Sequence, residues 1–192
     1  VYPATNIGLS SPPEPLAMVR DDMLRWGDNV WVSHGNAFQT VMIGGARVGL
    51  DPKFLLAKAR QVIEKRSPPN LWITAGGGAL ETCSGVPGLI NEMMLQTDRG
   101  VTRVFPVFPA DQAASFRRLR TFGAFVVSSE IDRGKIGYVE IESEKGRPCQ
   151  LVNPWPGRDV RVQRDGKPAE TVRGELLELQ TRPGETLRLA PA

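Results

Sequence analysis

Apolar positions recur with a helical period in the first half of the chain and with a strand-like period in the second. Leu16, Val19, Met23 and Trp26 stand at i, i+3, i+7 and i+10, opposite Arg20, Asp21, Asp22 and Arg25. That spacing predicts an amphipathic helix after an irregular stretch containing Pro12, Pro13 and Pro15, and Gly27 stops it. Residues 36–48 predict a second helix with Phe38, Val41, Met42, Gly45 and Ala46 as apolar or small positions. Few charges interrupt it, so most of its sides should be buried, and Gly49 closes it. Asp51 and Pro52 supply an N-cap acid and a first-turn proline for a third helix, whose stripe is Leu55, Leu56, Ala59, Val62 and Ile63. Lys65 and Arg66 favour its C-terminal dipole, and Ser67-Pro68-Pro69 ends it. A fourth helix is predicted over 86–96 through Leu89, Ile90, Met93 and Met94, after a glycine-rich loop at 74–79.

From about residue 101 the period changes. Residues 121–128 and 135–143 predict two strands joined by Asp132-Arg133-Gly134, a hairpin turn. In the second, Ile136, Tyr138, Glu140 and Glu142 share one face, and Gly137, Val139, Ile141 and Ser143 the other. Shorter strands follow at 149–152, 159–163, 175–180 and 186–189, with turns at Asp165-Gly166 and Pro183-Gly184. The expected fold class is therefore α + β, with a helical domain over 1–97 and a small antiparallel β-sandwich over 98–192.

Composition removes several classes. The 192 residues carry 24 Lys and Arg against 21 Asp and Glu, interspersed without a basic stripe, so no nucleic-acid partner is expected. No apolar run approaches the roughly 18–20 residues that span a bilayer, so no membrane partner is expected either. One histidine, His34, and two cysteines, Cys83 and Cys149, cannot close a four-ligand zinc site, so neither a metal nor another cofactor is expected. The cysteines read either as one disulfide or as two buried thiols. The chain opens on Val1 rather than Met, and reads as part of a longer protein.

Generic catalytic motifs are absent: Gly76-Gly77-Gly78 has neither the lysine of a phosphate-binding loop nor dinucleotide-fold spacing. The loop nevertheless brings a carboxylate, Glu81, onto a backbone that a ligand can approach closely. The alternative is an acid that merely favours a helix N-terminus. His34 and Asn36, at the mouth of the second helix, offer an imidazole and an amide to a polar ligand, although Asn36 also suits an N-cap. Trp72 offers a stacking face or, equally, core area. A Cys83–His34 nucleophile–base pair lacks any neighbour marking the thiol as a thiolate. Trp155, between Pro154 and Pro156, reads as a rigid sandwich-edge feature or a sugar platform.

Several ordered motifs carry a family resemblance. GVPGLINEMMLQT at 85–97 resembles the helix ending in EMLLQS of the family 95 glycoside hydrolases, the α-L-fucosidase and α-L-galactosidase group. GVTRVFPVFP at 100–109 resembles that family's strand into LPALP, LRTFGAF at 119–125 its GLRARGGF, and ARVG at 46–49 its ARLG. The likeness covers about residues 35–145 and looks closest to a divergent branch, with EKGRPC at 144–149 and NPWPG at 153–157 as additions.

The resemblance implies the last helices of an (α/α)6 barrel followed by a C-terminal β-sandwich. The family's base is the Asp of a DGNFG motif eleven residues before the Glu of EML; counting back from Glu92 reaches Glu81. Asp has become Glu, and only Gly85 of the motif's tail survives. An inverting mechanism is implied, with Glu81 as general base and the general acid supplied by a preceding segment of the protein, the carboxyls about 6.5–9.5 Å apart. The implied partners are an oligosaccharide or polysaccharide and the N-terminal remainder of the protein, and the implied location is secreted or periplasmic. Alone, this chain is expected to be inactive. The altered DGNFG motif motivates the alternative of a non-catalytic carbohydrate-binding or structural module with a decayed active site.

Overall fold

A computed structural model describes residues 1, 2, 4, 6–32, 37–70 and 80–192, and their side chains except those of 37–40, 80–82 and 169. The chain forms two compact units, Val1–Met93 and Met94–Ala192. The first holds α1 (Pro13–Arg25), α2 (Asp28–Trp31), α3 (Ala37–Arg47), α4 (Pro52–Arg66) and all but the last residue of α5 (Leu80–Met94).

α1 starts within the proline-rich stretch that reads as irregular, because Pro13 occupies a first-turn position where no N–H is needed. It buries Leu16 and Met23, as the periodicity requires. The four-residue α2 has no sequence signature; its Trp31 is buried edge-on against Phe54, centroids 5.0 Å apart. α3 ends on Gly49 at φ +75°, where Gly49 N–H reaches the Ala46 carbonyl and Leu50 N–H the Gly45 carbonyl, a Schellman closure. The Asp51 side chain caps α4, accepting from Phe54 N–H at 2.8 Å. A Cβ on Gly45 would lie 2.8 Å from Leu55 Cδ2, so glycine there allows α3 to approach α4 closely.

The second unit is a β-sandwich. One sheet has the order β1 (Leu95–Asp98), β2 (Val101–Val104), β6 (Cys149–Val152), β9 (Leu176–Leu179). The other runs β3 (Ala114–Thr121), β4 (Phe125–Asp132), β5 (Lys135–Ser143), β10 (Glu185–Pro191), β7 (Val160–Arg164), β8 (Lys167–Val172). The change from helix to strand thus comes three residues earlier than the boundary at 97/98: Leu95–Asp98 extends no helix but pairs with Val101–Val104. The expected all-antiparallel arrangement also needs correction, since β2 and β6 run parallel, Val101 opposite Gln150 and Thr102 opposite Leu151.

Three turns share one chemistry. Arg99-Gly100, Arg133-Gly134 and Asp165-Gly166 each link paired strands with both residues at positive φ, the backbone that matches strand twist. The predicted strand at 121–128 instead straddles a turn at Phe122-Gly123-Ala124, with β3 before it and β4 after it.

Between the sheets, Leu95, Val104, Leu151, Leu177 and Leu179 meet Val127, Val139, Ile141, Val162, Leu187 and Leu189 in one core. Trp155 belongs to it. Its ring is only 7% exposed and its Nε1–H donates to the Ile136 carbonyl at 2.7 Å, so it is an anchor, not an edge platform for sugar. Asn153, also buried, accepts from Trp155 N–H and donates to the Arg158 and Gly174 carbonyls, tying that corner together.

Both cysteines are free thiols. Cys149 lies in the sandwich core, where burial pushes its thiol up to about 12, while Cys83 is half-buried. Ellman's reagent should therefore titrate no more than one thiol in the native chain and two in denaturant. Leu187→Ala, in the central strand β10, should cost about 3 kcal/mol in urea unfolding. Phe122→Ala, at a residue 77% exposed on a turn, should change stability by less than about 0.5 kcal/mol.

Candidate active site

In sequence, His34 and Asn36 precede α3, Trp72 precedes α5, and Glu81 lies within α5. α5 begins at Leu80, so Glu81 is its second residue and not part of a loop preceding a helix near Val86. Gly85, Pro87 and Gly88 disguise that start, since each reads as a breaker. Pro87 nonetheless lies inside α5, forgoing the usual bond to the Cys83 carbonyl. The side chain of Glu81 lies outside the described residues, as do His34, Asn36, Trp72 and the triple glycine.

What is described is how α3 and α5 align. A Cβ on Gly88 would fall 3.0 Å from Ile43 Cδ1. Four residues further along each helix, Arg47 Nη2 donates to Glu92 Oε1 at 2.8 Å. The two helices therefore run in the same sense, and their N-terminal ends lie at the same end of the unit. α1 runs against them: Arg20 Nε donates to the Val48 carbonyl, and Met23 Cε lies 3.6 Å from where a Gly44 Cβ would be. On α5, positions 81, 85, 88 and 92 recur at helical spacing along one stripe, and Gly88 and Glu92 of that stripe meet α3. The chain enters α3 from the segment containing His34 and Asn36, and enters α5 from the one containing Trp72.

The Arg47–Glu92 pair is largely withdrawn from water, with side chains 16% and 17% exposed. Burial raises the Glu92 carboxyl above its ordinary value, and the Arg47 hydrogen bond and charge offset only part of that rise. Arg47 also faces the Tyr2 ring, 5.8 Å from its centroid. Among the described residues no group of three or more His, Cys, Asp or Glu is placed to hold a metal ion, and no helix is long and apolar enough to cross a membrane.

No protein-family model matches the chain, and no curated protein matches it. Solved structures that it resembles include a GH127 β-L-arabinofuranosidase from Geobacillus stearothermophilus T6, at 10% identity over 82% of this chain and 31% of that one, with a TM-score of 0.34. Another is described as a glycoside hydrolase, at 12% identity over 83% of this chain and 33% of that one, with a TM-score of 0.31. This chain thus spans about a third of the length of each. Both neighbours are glycoside hydrolases, but the family stated for the first is 127, not the family 95 that the sequence motifs resemble. Likeness at this level assigns no activity to the present chain.

A carboxyl with a raised folded-state pKa holds its proton more tightly when folded than when unfolded. Its contribution to stability accordingly falls as pH rises from the ordinary value through the raised one. Wild type should lose stability relative to Glu92→Gln as pH rises above the ordinary carboxylate range in parallel thermal melts. A flat difference curve would mean that Glu92 titrates as it does in the unfolded chain.

Proposed function

We propose that this chain is the C-terminal part of a glycoside hydrolase that cleaves α-linked, fucoside-like sugars with inversion, and that Glu81 is its general base. Its helical unit would then be the closing segment of an (α/α)6 barrel. The observation that supports the reading is the common direction of α3 and α5, with Glu81 in the first turn of α5. Glu81 stands eleven residues, about three helical turns, before Glu92, on the stripe of α5 that meets α3.

The chemistry follows from a carboxylate held there. Glu81 takes a proton from water as the water oxygen bonds to the anomeric carbon. The glycosidic C–O bond breaks on the opposite face, and a carboxylic acid from a preceding part of the protein protonates the leaving oxygen. His34 and Asn36 would hold sugar hydroxyls and Trp72 a ring face. The second reading, a module that binds carbohydrate or supports structure without catalysis, is favoured by the loss of the family's Asp and of most of its DGNFG tail.

Full-length protein carrying Glu81→Gln should lose about 10²–10⁴-fold in turnover of an aryl α-L-fucoside while melting at the wild-type temperature. Turnover near wild type in that variant rejects the base. Saccharide binding without hydrolysis by the wild-type full-length protein would favour the non-catalytic reading.

A further inference from the structure

The outward face of the six-stranded sheet carries a hollow of about 510 Å³, lined by Arg161, Gln163, Pro168, Thr171, Arg188 and Ala190. Strand pairing builds it from two rows. Thr171, Arg161 and Ala190 stand opposite one another across β8, β7 and β10, and Pro168, Gln163 and Arg188 form the neighbouring row. Alternation puts Val160, Val162, Leu187 and Leu189 of the same strands into the core, which leaves this polar set facing outward. Ala190, the smallest side chain in the set, lies opposite Arg161 and two residues from Arg188.

The charges there are unevenly matched. Arg188 lies flat over the Tyr138 ring, 4.0 Å from its centroid, and only Nη1 reaches Glu140, at 3.3 Å. Arg161 donates through Nη2 to the Pro191 carbonyl and has no carboxylate partner among the described residues. Glu170, at the hollow's edge, is engaged by both Nε and Nη2 of Arg164. Guanidinium donors with one amide and one hydroxyl suit an acceptor-rich, negatively charged ligand. Ala190, opposite Arg161 and two residues from Arg188, gives that ligand an apolar spot to lie on.

From this we infer that the hollow is a second saccharide site, one that takes a uronic acid residue. Its carboxylate is held by Arg161 and Arg188 and its ring C–H face lies on Ala190, while Gln163, Thr171 and Pro168, on the β7–β8 side, meet the neighbouring sugar. That the carboxylate is carried on a sugar rests on the proposed function; that the hollow prefers an anion rests on the two arginines alone.

Calorimetric titration of the complete chain with trigalacturonate tests this, beside a neutral galactose trisaccharide and inorganic phosphate. Saturable binding of trigalacturonate is expected, weakening as salt rises. It should fall about tenfold or more in Arg161→Ala, which removes one charge-assisted contact. Ala190→Leu, which fills the floor and keeps both charges, should weaken it comparably, and Glu81→Gln should leave it unchanged. Absence of trigalacturonate binding overturns the proposal, as does equal binding of the neutral trisaccharide or wild-type binding by both hollow variants. Phosphate binding as tight as trigalacturonate overturns the saccharide assignment. Loss of binding in the hollow variants with hydrolysis by the full-length protein intact separates this site from the proposed catalytic one.

Discussion

In the helical unit the alignment of α5 with α3 rests on one sheltered ion pair, Arg47–Glu92. A Cβ at Gly88 would touch the tip of Ile43, so α3 side chains also reach α5 there. The Arg47–Glu92 pair makes the alignment specific. Apolar contacts tolerate sliding, but a sheltered ion pair does not: displacing one partner leaves a charge without its counter-charge, at a cost of about 3–5 kcal/mol. Such a pair adds little net stability over a well-packed apolar one, and its effect lies in selecting a single alignment. With that alignment set, two chain segments far apart in sequence begin their helices at the same end of the unit.

The sandwich is organised on a different principle. Its twist is imposed locally, by three two-residue turns whose arginine or aspartate and following glycine adopt left-handed backbone. Its interior is apolar, apart from a few polar groups with specific duties. Asn153 is the clearest of these, since its amide uses both hydrogen-bonding ends to hold a proline-rich corner and Trp155 in place. On the outward face, Arg118 and Arg120 pair with Glu142 and Glu144, covering a face that would otherwise expose Val126.

Much of this was legible in the chain, and the exceptions have physical causes. α1, α3 and α4 announce themselves by apolar stripes, capping residues and terminal glycine. β1 is hidden because Leu95 continues the apolar run of Met93 and Met94 and Gln96 breaks no helix, so only pairing with β2 marks the change. β3 is hidden by its own irregularity: the ladder shifts between Phe116 and Leu119, with Arg118 at positive φ, so its inward residues do not alternate cleanly. β8 lies at a sheet edge, where Lys167, Pro168 and Glu170 satisfy no apolar periodicity. The residue types of the candidate site could be read directly, but the helical setting of Glu81 could not, because the glycines and proline that let α5 pack are also the signals that end helices. The hollow on the sandwich left no motif at all; its residues come from three strands and meet only through their register.

The parallel β2–β6 pair carries a kinetic implication. Hairpins such as β4–β5 close over two residues and can form within microseconds. Val101 and Gln150 are joined only after the intervening β3–β5 meander has returned the chain to β2, so that pairing demands closure of a long loop. The β2–β6 pairing, like that of β5 with β10, therefore follows the local hairpins of both sheets, β1–β2 among them, and the Leu151 and Leu177 side chains remain wetted until it forms.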